Sequence, residues 1–295
     1  MKNSIFIILF LFINYLNCQE KLLISENNDI KLFETHISLH SEGNIFPAMY
    51  KEGLIYASNH NLETYRLLYK SHQSKSIKLK TGNKYSLGAL AIFNDEVYFT
   101  GISKKINSYG DFNFAIYKGV LNEFKLKSVQ ALKFCNKEYS YTYPTISKDG
   151  STMVVVSNEQ NSLHLLELKR NENNEWEKSD VLFICQPTHE IINPVIFNEN
   201  TIYFSSKSNE EKTYRVQYTN KKGETLLSNV IRESGVFNIY KLIKENGIWK
   251  IPKLMDALNS DFDDLGVLFI DDKKGYLTTS RYNDSENIFY FELKQ

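Results

Sequence analysis

Short runs of aromatic and β-branched residues, each bounded by Gly, Asp, Asn or Lys, recur along the chain. The pattern is clearest near the C-terminus, where residues 267–270, 276–280 and 288–291 are mostly aromatic, aliphatic or β-branched and residues 271–275 between the first two runs are polar. Runs of this length and composition are typical of strands on a half-buried pleated surface. The Asp, Lys and Gly residues of 271–275 favour a tight turn. This stretch therefore predicts a small antiparallel meander.

Five copies of the meander follow one another along the chain. Between copies lies a further apolar segment that we interpret as an outer strand, as at 128–134, 181–185 and 249–254. Four short strands repeated every ~40–50 residues are the signature of propeller blades. The sequence thus predicts an all-β protein, a five-bladed β-propeller of four-stranded antiparallel blades. The first strands of the five copies contain residues 46–50, 87–93, 143–147, 193–197 and 267–270.

Closing this ring requires a strand from the N-terminus. The fifth copy ends with its third strand at 288–293, which would leave an exposed sheet edge. Residues 30–33 or 21–24 are the candidates for the missing fourth strand. Six blades are the alternative if residues 209–235 hide another unit. We interpret that segment as a decorated loop carrying a hairpin, because no proline-turn-aromatic unit follows it.

The repeat carries motifs of a known family. The motifs are Pro144 with Ser147-Lys148-Asp149-Gly150 and Ser157-Asn158, then Tyr203-Phe204-Ser205-Ser206, Asn238-Ile239-Tyr240 and Ser280-Arg281. They resemble the TolB-like, WD40-like β-propeller repeats of bacterial envelope proteins, and the resemblance covers residues 35–295. It implies a location in the periplasm or at the outer membrane, with a protein or glycan partner there.

The N-terminal segment has the features of an export signal. Lys2 is followed by an apolar run at 5–13 that is too short to span a bilayer. We therefore predict a signal peptide at 1–18, a propeller domain at 19–295, and no transmembrane segment in the mature chain. Lipidation at Cys18 is the less favoured alternative, since residues 15–17 depart from a lipobox. The chain is expected to be exported and secreted, and to lie in the periplasm or in association with the outer membrane.

Charge and cysteine content narrow the possible partners. The chain has 35 Lys and Arg against 35 Asp and Glu, so its formal charge is zero. No global field would attract nucleic acid or an anionic membrane, and we predict no nucleic-acid partner. Cys135 and Cys185 are too few for a disulfide framework, and we interpret both as small buried hydrophobes.

No catalytic motif stands out in the sequence. The G-x-S-x-G elbow and the glycine-rich phosphate loops are absent. Asp95, Asp149 and Asp271 fall in predicted turns, so we assign them to turn formation rather than to a glycosidase carboxylate pair. Asp261 and its acidic neighbours lack calcium-loop spacing, and we expect them to bond backbone amides. No metal and no cofactor are predicted.

The loops entering the inner strands are the expected binding surface, because such loops converge at one mouth of a propeller. The tyrosines among them either anchor a partner or pack between blades. We therefore expect a noncatalytic recognition or scaffold module in the bacterial envelope, not an enzyme. Its expected partner is an envelope protein or glycan, and a place in an outer-membrane complex is a further possibility. The alternative is a five-bladed glycoside hydrolase-like enzyme. The candidate binding residues are Tyr139, Tyr141, Tyr143, His189, Asn193, Phe262, Asp263 and Asp264.

Overall fold

A computed structural model gives the fold of most of the chain. It describes residues 22–38, 43–59, 65–71, 75–81, 89–208, 212–219, 225–233, 235–282 and 285–294, with backbone alone at 212–219 and 225–233. The predicted signal peptide at 1–18, including Cys18, lies outside the described residues. Within them, no helix is of the length and apolarity that a bilayer crossing requires.

The described chain is built almost entirely from antiparallel strands, which we number in chain order. Strands β1 (Leu23–Glu26) and β2 (Ile30–Phe33) come first. Blade 1 comprises β3 (Asn44–Tyr50), β4 (Gly53–Ser58), β5 (Arg66–Ser71) and β6 (Ile77–Lys78). Blade 2 comprises β7 (Leu90–Phe93), β8 (Glu96–Ile106), β9 (Phe112–Asn122) and β10 (Lys125–Ala131). Blade 3 comprises β11 (Tyr141–Ile146), β12 (Thr152–Ser157), β13 (His164–Arg170) and β14 (Trp176–Ile184).

The last two blades carry additions to the four-strand plan. Blade 4 begins with β15 (His189–Asn198) and β16 (Thr201–Ser208), followed by the inserted strands β17 (Lys212–Thr219) and β18 (Thr225–Glu233). It resumes with β19 (Asn238–Glu245), β20 (Ile248–Trp249) and β21 (Lys253–Leu254). Blade 5 consists of β22 (Asp264–Phe269), β23 (Lys274–Thr279) and β24 (Asn287–Leu293), joined by β2 and β1.

The prediction of five blades is confirmed. The innermost strands β3, β7, β11, β15 and β22 contact one another in sequence, and β22 contacts β3 to close the ring. The segment considered for a sixth blade instead forms the β17–β18 hairpin, a separate two-stranded sheet. The decorated-loop interpretation of this insertion is therefore correct.

Strands from both ends of the chain share blade 5. Strand β2 pairs antiparallel with β24, with Ile30 opposite Leu293 and Leu32 opposite Phe291. Strand β1 then pairs with β2 as a fifth strand. The predicted closure by an N-terminal strand is confirmed, and residues 30–33 are the segment that provides it.

Apolar side chains fill the spaces between blades. In β12 every residue from Met153 to Ser157 is buried, because both faces of this strand pack against neighbouring blades. The outer strand of blade 4 is less regular than predicted. It is divided into β20 and β21, which pair with different parts of β19, and Pro252 lies between them. Proline lacks the amide hydrogen that a continuous ladder needs.

The turn between β11 and β12 shows why the repeat motif has its composition. The Asp149 carboxylate accepts hydrogen bonds from the Ser147 hydroxyl at 2.5 Å and from the Ser151 amide at 3.1 Å. These hydrogen bonds lower the pKa of Asp149 to about 2. Gly150 has φ +74°, and a Cβ there would lie 2.4 Å from the Phe93 ring of blade 2. The predicted turn role of Asp149 is thus confirmed, and the glycine also allows two blades to approach.

Candidate functional site

The innermost strands all begin at one end of the propeller, which we call the mouth. Three of them contain a one-residue bulge at the same position, occupied by Phe46, Tyr143 and Asn193. These residues have φ values of 53°, 51° and 47°, which non-glycine residues rarely adopt. Strain of this kind tends to concentrate where a structure holds side chains for a purpose. The three strained residues all belong to innermost strands, next to the axis of the ring.

The axis is closed by apolar side chains. The rings of Phe46 in blade 1 and Tyr143 in blade 3 meet edge to face, with centroids 6.0 Å apart. Blades 1 and 3 are not neighbours, so this contact bridges the space across the axis. Ile192, Phe237 and Leu265, from blades 4 and 5, pack into the same cluster. We call these five residues the floor of the mouth.

Glu190 and Lys207 lie on the blade 4 side of the mouth. Lys207 Nζ is 4.0 Å from Glu190 Oε2 and 4.7 Å from the centroid of the Phe237 ring. The Ser206 hydroxyl donates to the Glu190 carbonyl oxygen at 2.7 Å, which joins the start of β15 to the end of β16. The Glu190 side chain is 42% exposed, so a ligand in the mouth can reach its carboxylate.

Asp263 supplies a second carboxylate from blade 5. Its Oδ1 accepts the backbone N–H of Phe237 at 2.8 Å. The Phe237 carbonyl oxygen in turn accepts the N–H of Asp264, also at 2.8 Å. Asp263 is therefore held beside Phe237 from the blade 5 side, whereas Lys207 and Glu190 approach Phe237 from the blade 4 side. The arrangement brings two carboxylates and an amine together around one floor residue.

Tyr143 is electrostatically linked to this group. Burial of its phenol, and then the negative charge of Glu190, raise the pKa of Tyr143 above its ordinary value. The phenol is therefore neutral at physiological pH and can act as a hydrogen-bond donor. Its backbone N–H donates to the Thr100 hydroxyl of blade 2 at 3.0 Å, which fixes the bulge.

Asp264, another predicted binding residue, has a structural role instead. Its side chain is fully buried, and Oδ1 accepts a hydrogen bond from Arg281 Nη2 at 2.5 Å. Oδ2 accepts from the backbone N–H of Ser260 at 2.7 Å and from the Ser260 hydroxyl at 3.0 Å. All of this orders the segment leading into β22, in line with the expectation that these acidic residues bond backbone amides.

The remaining predicted binding residues are dispersed. Tyr141 is fully buried between blades 2 and 3, where its ring packs against Phe134 and its hydroxyl donates to Glu159. Of the two roles considered for the tyrosines, partner binding and packing between blades, Tyr141 has the second. Tyr139 is half-buried in the loop before β11, and Phe262 is exposed next to Asp263.

His189 and Asn193 both belong to β15 itself. His189 is its first residue, whereas Asn193 occupies the bulge and packs against Gly266 of blade 5. Of the predicted residues, the structure brings Tyr143, Asn193 and Asp263 towards the axis. The sequence analysis missed Glu190, Lys207 and Phe237. Glu190 had a usable signal, since it directly precedes the buried apolar pair Ile191–Ile192 of β15.

The cysteine thiols and the possible metal ligands do not form a further reactive site among the residues with described side chains. The described cysteines are free thiols, and burial raises the pKa of Cys135 to about 12 and that of Cys185 to about 11. Among the residues with described side chains, no group of three or more His, Cys, Asp or Glu is placed to hold a metal ion.

Comparison with known proteins shows likeness at the level of fold. No protein-family model and no curated protein sequence matches the chain. Solved structures do match it. A GH32 β-fructofuranosidase of Bombyx mori aligns with TM-score 0.50 and 14% identity, covering 86% of this chain and 60% of that one. The chain thus spans about three fifths of the length of that enzyme.

Two further enzymes match over nearly their whole length. A thermostable family-43 glycoside hydrolase aligns with TM-score 0.50 and 13% identity, covering 88% of this chain and 95% of that one. The PQQ-bound aldose sugar dehydrogenase of Streptomyces coelicolor aligns with TM-score 0.51 and 11% identity, covering 90% and 98%. At these identities the likeness shows the propeller fold.

These matches correct one expectation. The prediction of a noncatalytic recognition module, and with it the prediction that the chain is not an enzyme, is wrong: the solved structures that share this fold include two glycoside hydrolases and a sugar dehydrogenase. The prediction failed because it relied on missing sequence motifs. A carboxylate pair carried by different blades has no fixed spacing along a chain, so a motif search does not detect it.

Proposed function

We propose that this chain is a carbohydrate-acting enzyme that hydrolyses glycosidic bonds at the mouth of the propeller. The observation that carries the proposal is the placement of Glu190 and Asp263 on adjacent blades, on either side of Phe237 above a closed apolar floor. Glycoside hydrolysis requires two carboxyl groups flanking the scissile bond. The fold-level likeness to a GH32 β-fructofuranosidase and a family-43 glycoside hydrolase supports the same reaction class.

The surroundings of the two carboxylates suit different roles. The Oδ1 atom of Asp263 accepts a hydrogen bond from the Phe237 amide, and this bond fixes the orientation of the whole carboxylate, including Oδ2. A carboxylate of fixed orientation suits attack on the anomeric carbon, directly or through a water molecule. Glu190 is half-exposed and has a longer side chain, so its carboxyl group can reach the leaving oxygen of a sugar bound in the mouth. It suits the acid that protonates the leaving oxygen, where such transfer contributes about 10²–10⁴-fold.

The other residues of the mouth suit binding of a sugar. Phe237 and Tyr143 supply apolar groups at the floor of the mouth, and the neutral phenol of Tyr143 offers a hydrogen-bond donor. Lys207 places an amine, a hydrogen-bond donor for a sugar hydroxyl, beside Glu190. An apolar base with a few convergent polar groups is the usual composition of a small-molecule site.

A panel of nitrophenyl glycosides and oligosaccharides tests the proposal. We expect turnover of at least one member, and we expect E190Q and D263N each to lower kcat by about 100-fold or more. The matched controls are E199Q, in the turn after β15, and D261N, two residues before Asp263; both side chains are exposed. Both should retain activity within about twofold.

Chemical rescue separates the two roles. If Asp263 attacks the sugar, azide should restore turnover of D263A and give a glycosyl azide, whereas E190Q should recover with substrates whose leaving group needs no protonation. Absence of turnover across the panel, or equal activity of E190Q, D263N and wild type, overturns the proposal.

Export to the envelope is part of the proposal. It is supported by Lys2 and the apolar run at 5–13, and by the resemblance of the repeats to TolB-like propellers. Mass spectrometry of the protein isolated from cells tests it: a mature N-terminus at Gln19 supports simple cleavage, and a lipid-modified Cys18 supports anchoring. An uncleaved Met1 contradicts export by this signal.

A further inference from the structure

The distal parts of β8 and β9 form a hairpin with a concentration of exposed apolar side chains. We call residues 102–114 the blade 2 hairpin. Ile102 lies opposite Phe114 and Ile106 opposite Phe112 in the ladder, and these four residues are between 41% and 57% exposed. Tyr109, at the tip, is 89% exposed. Large exposed apolar groups that cluster in this way mark an interaction surface rather than ordinary solvent-facing positions.

The hairpin projects from the mouth end of the ring. Strand β8 has 11 residues, whereas the equivalent strand β12 of blade 3 has 6. The extra length carries the apolar ladder beyond the body of the blade. A projecting, convex surface cannot enclose a small ligand, because ligand sites bury most of the ligand in a concavity. The shape suits a broad, soft surface into which the tip inserts.

The loop before β11 holds the hairpin in place. Glu138 accepts hydrogen bonds from the backbone N–H and the hydroxyl of Ser108, at 2.9 and 2.8 Å. Asn113 Nδ2 donates to the Lys137 carbonyl oxygen at 2.9 Å, and Lys137 Nζ donates to the Ile106 carbonyl oxygen at 3.2 Å. A surface ordered in advance loses little conformational entropy when it binds.

Positive charge accompanies the apolar tip. Lys104 and Lys105 lie in an irregular part of β8, where the Ser103 hydroxyl bonds both the N–H and the carbonyl oxygen of Lys105. Asp111 is the one acidic residue within 102–114, where two lysines stand against it, and the Lys137 and Glu138 that contact the hairpin offset each other. The zero net charge of the whole chain therefore conceals a locally basic, apolar projection.

We propose that the blade 2 hairpin docks the protein on the surface of an anionic lipid bilayer. Tyr109 and Phe112 would enter the headgroup region, and Lys104 and Lys105 would remain at the level of the phosphates. Aromatic groups favour this interface, and each nearby lysine strengthens binding to anionic lipid by about fivefold. The mouth would then face the bilayer. The inference goes beyond the proposed glycosidase and does not depend on it.

Vesicle co-sedimentation of the full chain tests the docking. We expect binding to phosphatidylcholine vesicles that contain phosphatidylserine, and at least several-fold weaker binding to phosphatidylcholine alone. The variant Y109S/F112S should lose about tenfold or more in partition, and K104E/K105E should lose the preference for anionic vesicles. The matched control I248S/I251S removes two exposed apolar side chains, also next to lysines, from the outer strand of blade 4, and should bind like wild type.

A second measurement reports insertion directly. Tryptophan in F112W should be quenched by brominated acyl chains, whereas Trp176 and Trp249 of the wild type should not be. Failure of the wild type to bind either vesicle, or equal binding by Y109S/F112S, overturns the proposal. So does a wild-type dimer that Y109S/F112S converts to a monomer in sedimentation velocity, since the hairpin would then cover a second copy of this chain.

Discussion

Arg281 Nη2 lies 2.5 Å from Oδ1 of the fully buried Asp264 carboxylate, and the guanidinium also donates to the Leu258 carbonyl oxygen at 2.7 Å. The pair joins the first residue of β22 to the loop after β23. Blade 5 is where the two ends of the chain meet, so this ion pair lies at the joint of the ring.

Breaking the Asp264–Arg281 pair should destabilise the protein strongly. We expect D264N to lower the free energy of unfolding by about 3–5 kcal/mol, because it leaves a guanidinium that is only 10% exposed without its counter-charge. Urea unfolding measures the loss. The control K274M removes a half-exposed partner 3.9 Å from Glu292 and should change stability by no more than ~1 kcal/mol. If D264N/R281M is no more stable than D264N, the unpaired charge is not the cause.

Ring closure should depend on one leucine of the N-terminal pair of strands. Leu32 in β2 is 1% exposed and packs among residues of blade 5, so L32A should cost about 2–5 kcal/mol. Leu23 in β1 is largely exposed, and L23A provides the matched control. Because the closing strand completes one continuous ring, we also expect L32A to unfold in a single transition. Separate transitions by fluorescence and circular dichroism would show that the blades melt independently.

The fold was largely predictable from the sequence because the strands and turns of each blade are determined by residues close together in the chain. Turn residues such as Asp149 and Gly150 recur at a fixed distance from each first strand, and the apolar runs match strand length. Even the closing strand followed from a physical requirement, since β24 would otherwise have an open edge. The break at Pro252 is the kind of local detail that strand patterns alone do not specify.

The candidate site was much less predictable. Glu190 and Asp263 are separated by 73 positions of sequence and lie on the two sides of Phe237 only because β15 and β22 are neighbours in the ring. Phe237, which lies between them, directly follows the inserted segment and has no motif of its own. Sites assembled across blades depend on the ring geometry, whereas the strands depend on neighbouring residues.

Gly266 and Asn193 should prove energetically coupled across blades 4 and 5. A Cβ at Gly266 would lie 2.0 Å from Asn193 Nδ2, so G266A should cost about 1–3 kcal/mol. N193G removes that side chain and also relieves a φ of 47°. In a double-mutant cycle by urea unfolding, we expect G266A to cost at least ~1 kcal/mol less in the N193G background. Additive effects of the two changes would mean that the side chains do not share this space.

The buried thiol of Cys185 should make stability fall at alkaline pH. Burial raises its pKa from 9.0 to about 11, so the folded protein retains a proton that the unfolded chain releases first. This contribution to stability is complete below about pH 9 and is lost as the pH rises through about 11. One such group changes the free energy of unfolding by at most about 1.4 kcal/mol per pH unit.

Unfolding in urea at several pH values between these limits should therefore show a shallower decline in the free energy of unfolding for C185A than for wild type. The native thiol should also react slowly with a disulfide reagent at neutral pH and quickly once the protein is unfolded. Equal pH slopes for the two proteins, together with rapid reaction in the folded state, would mean that Cys185 is open to solvent.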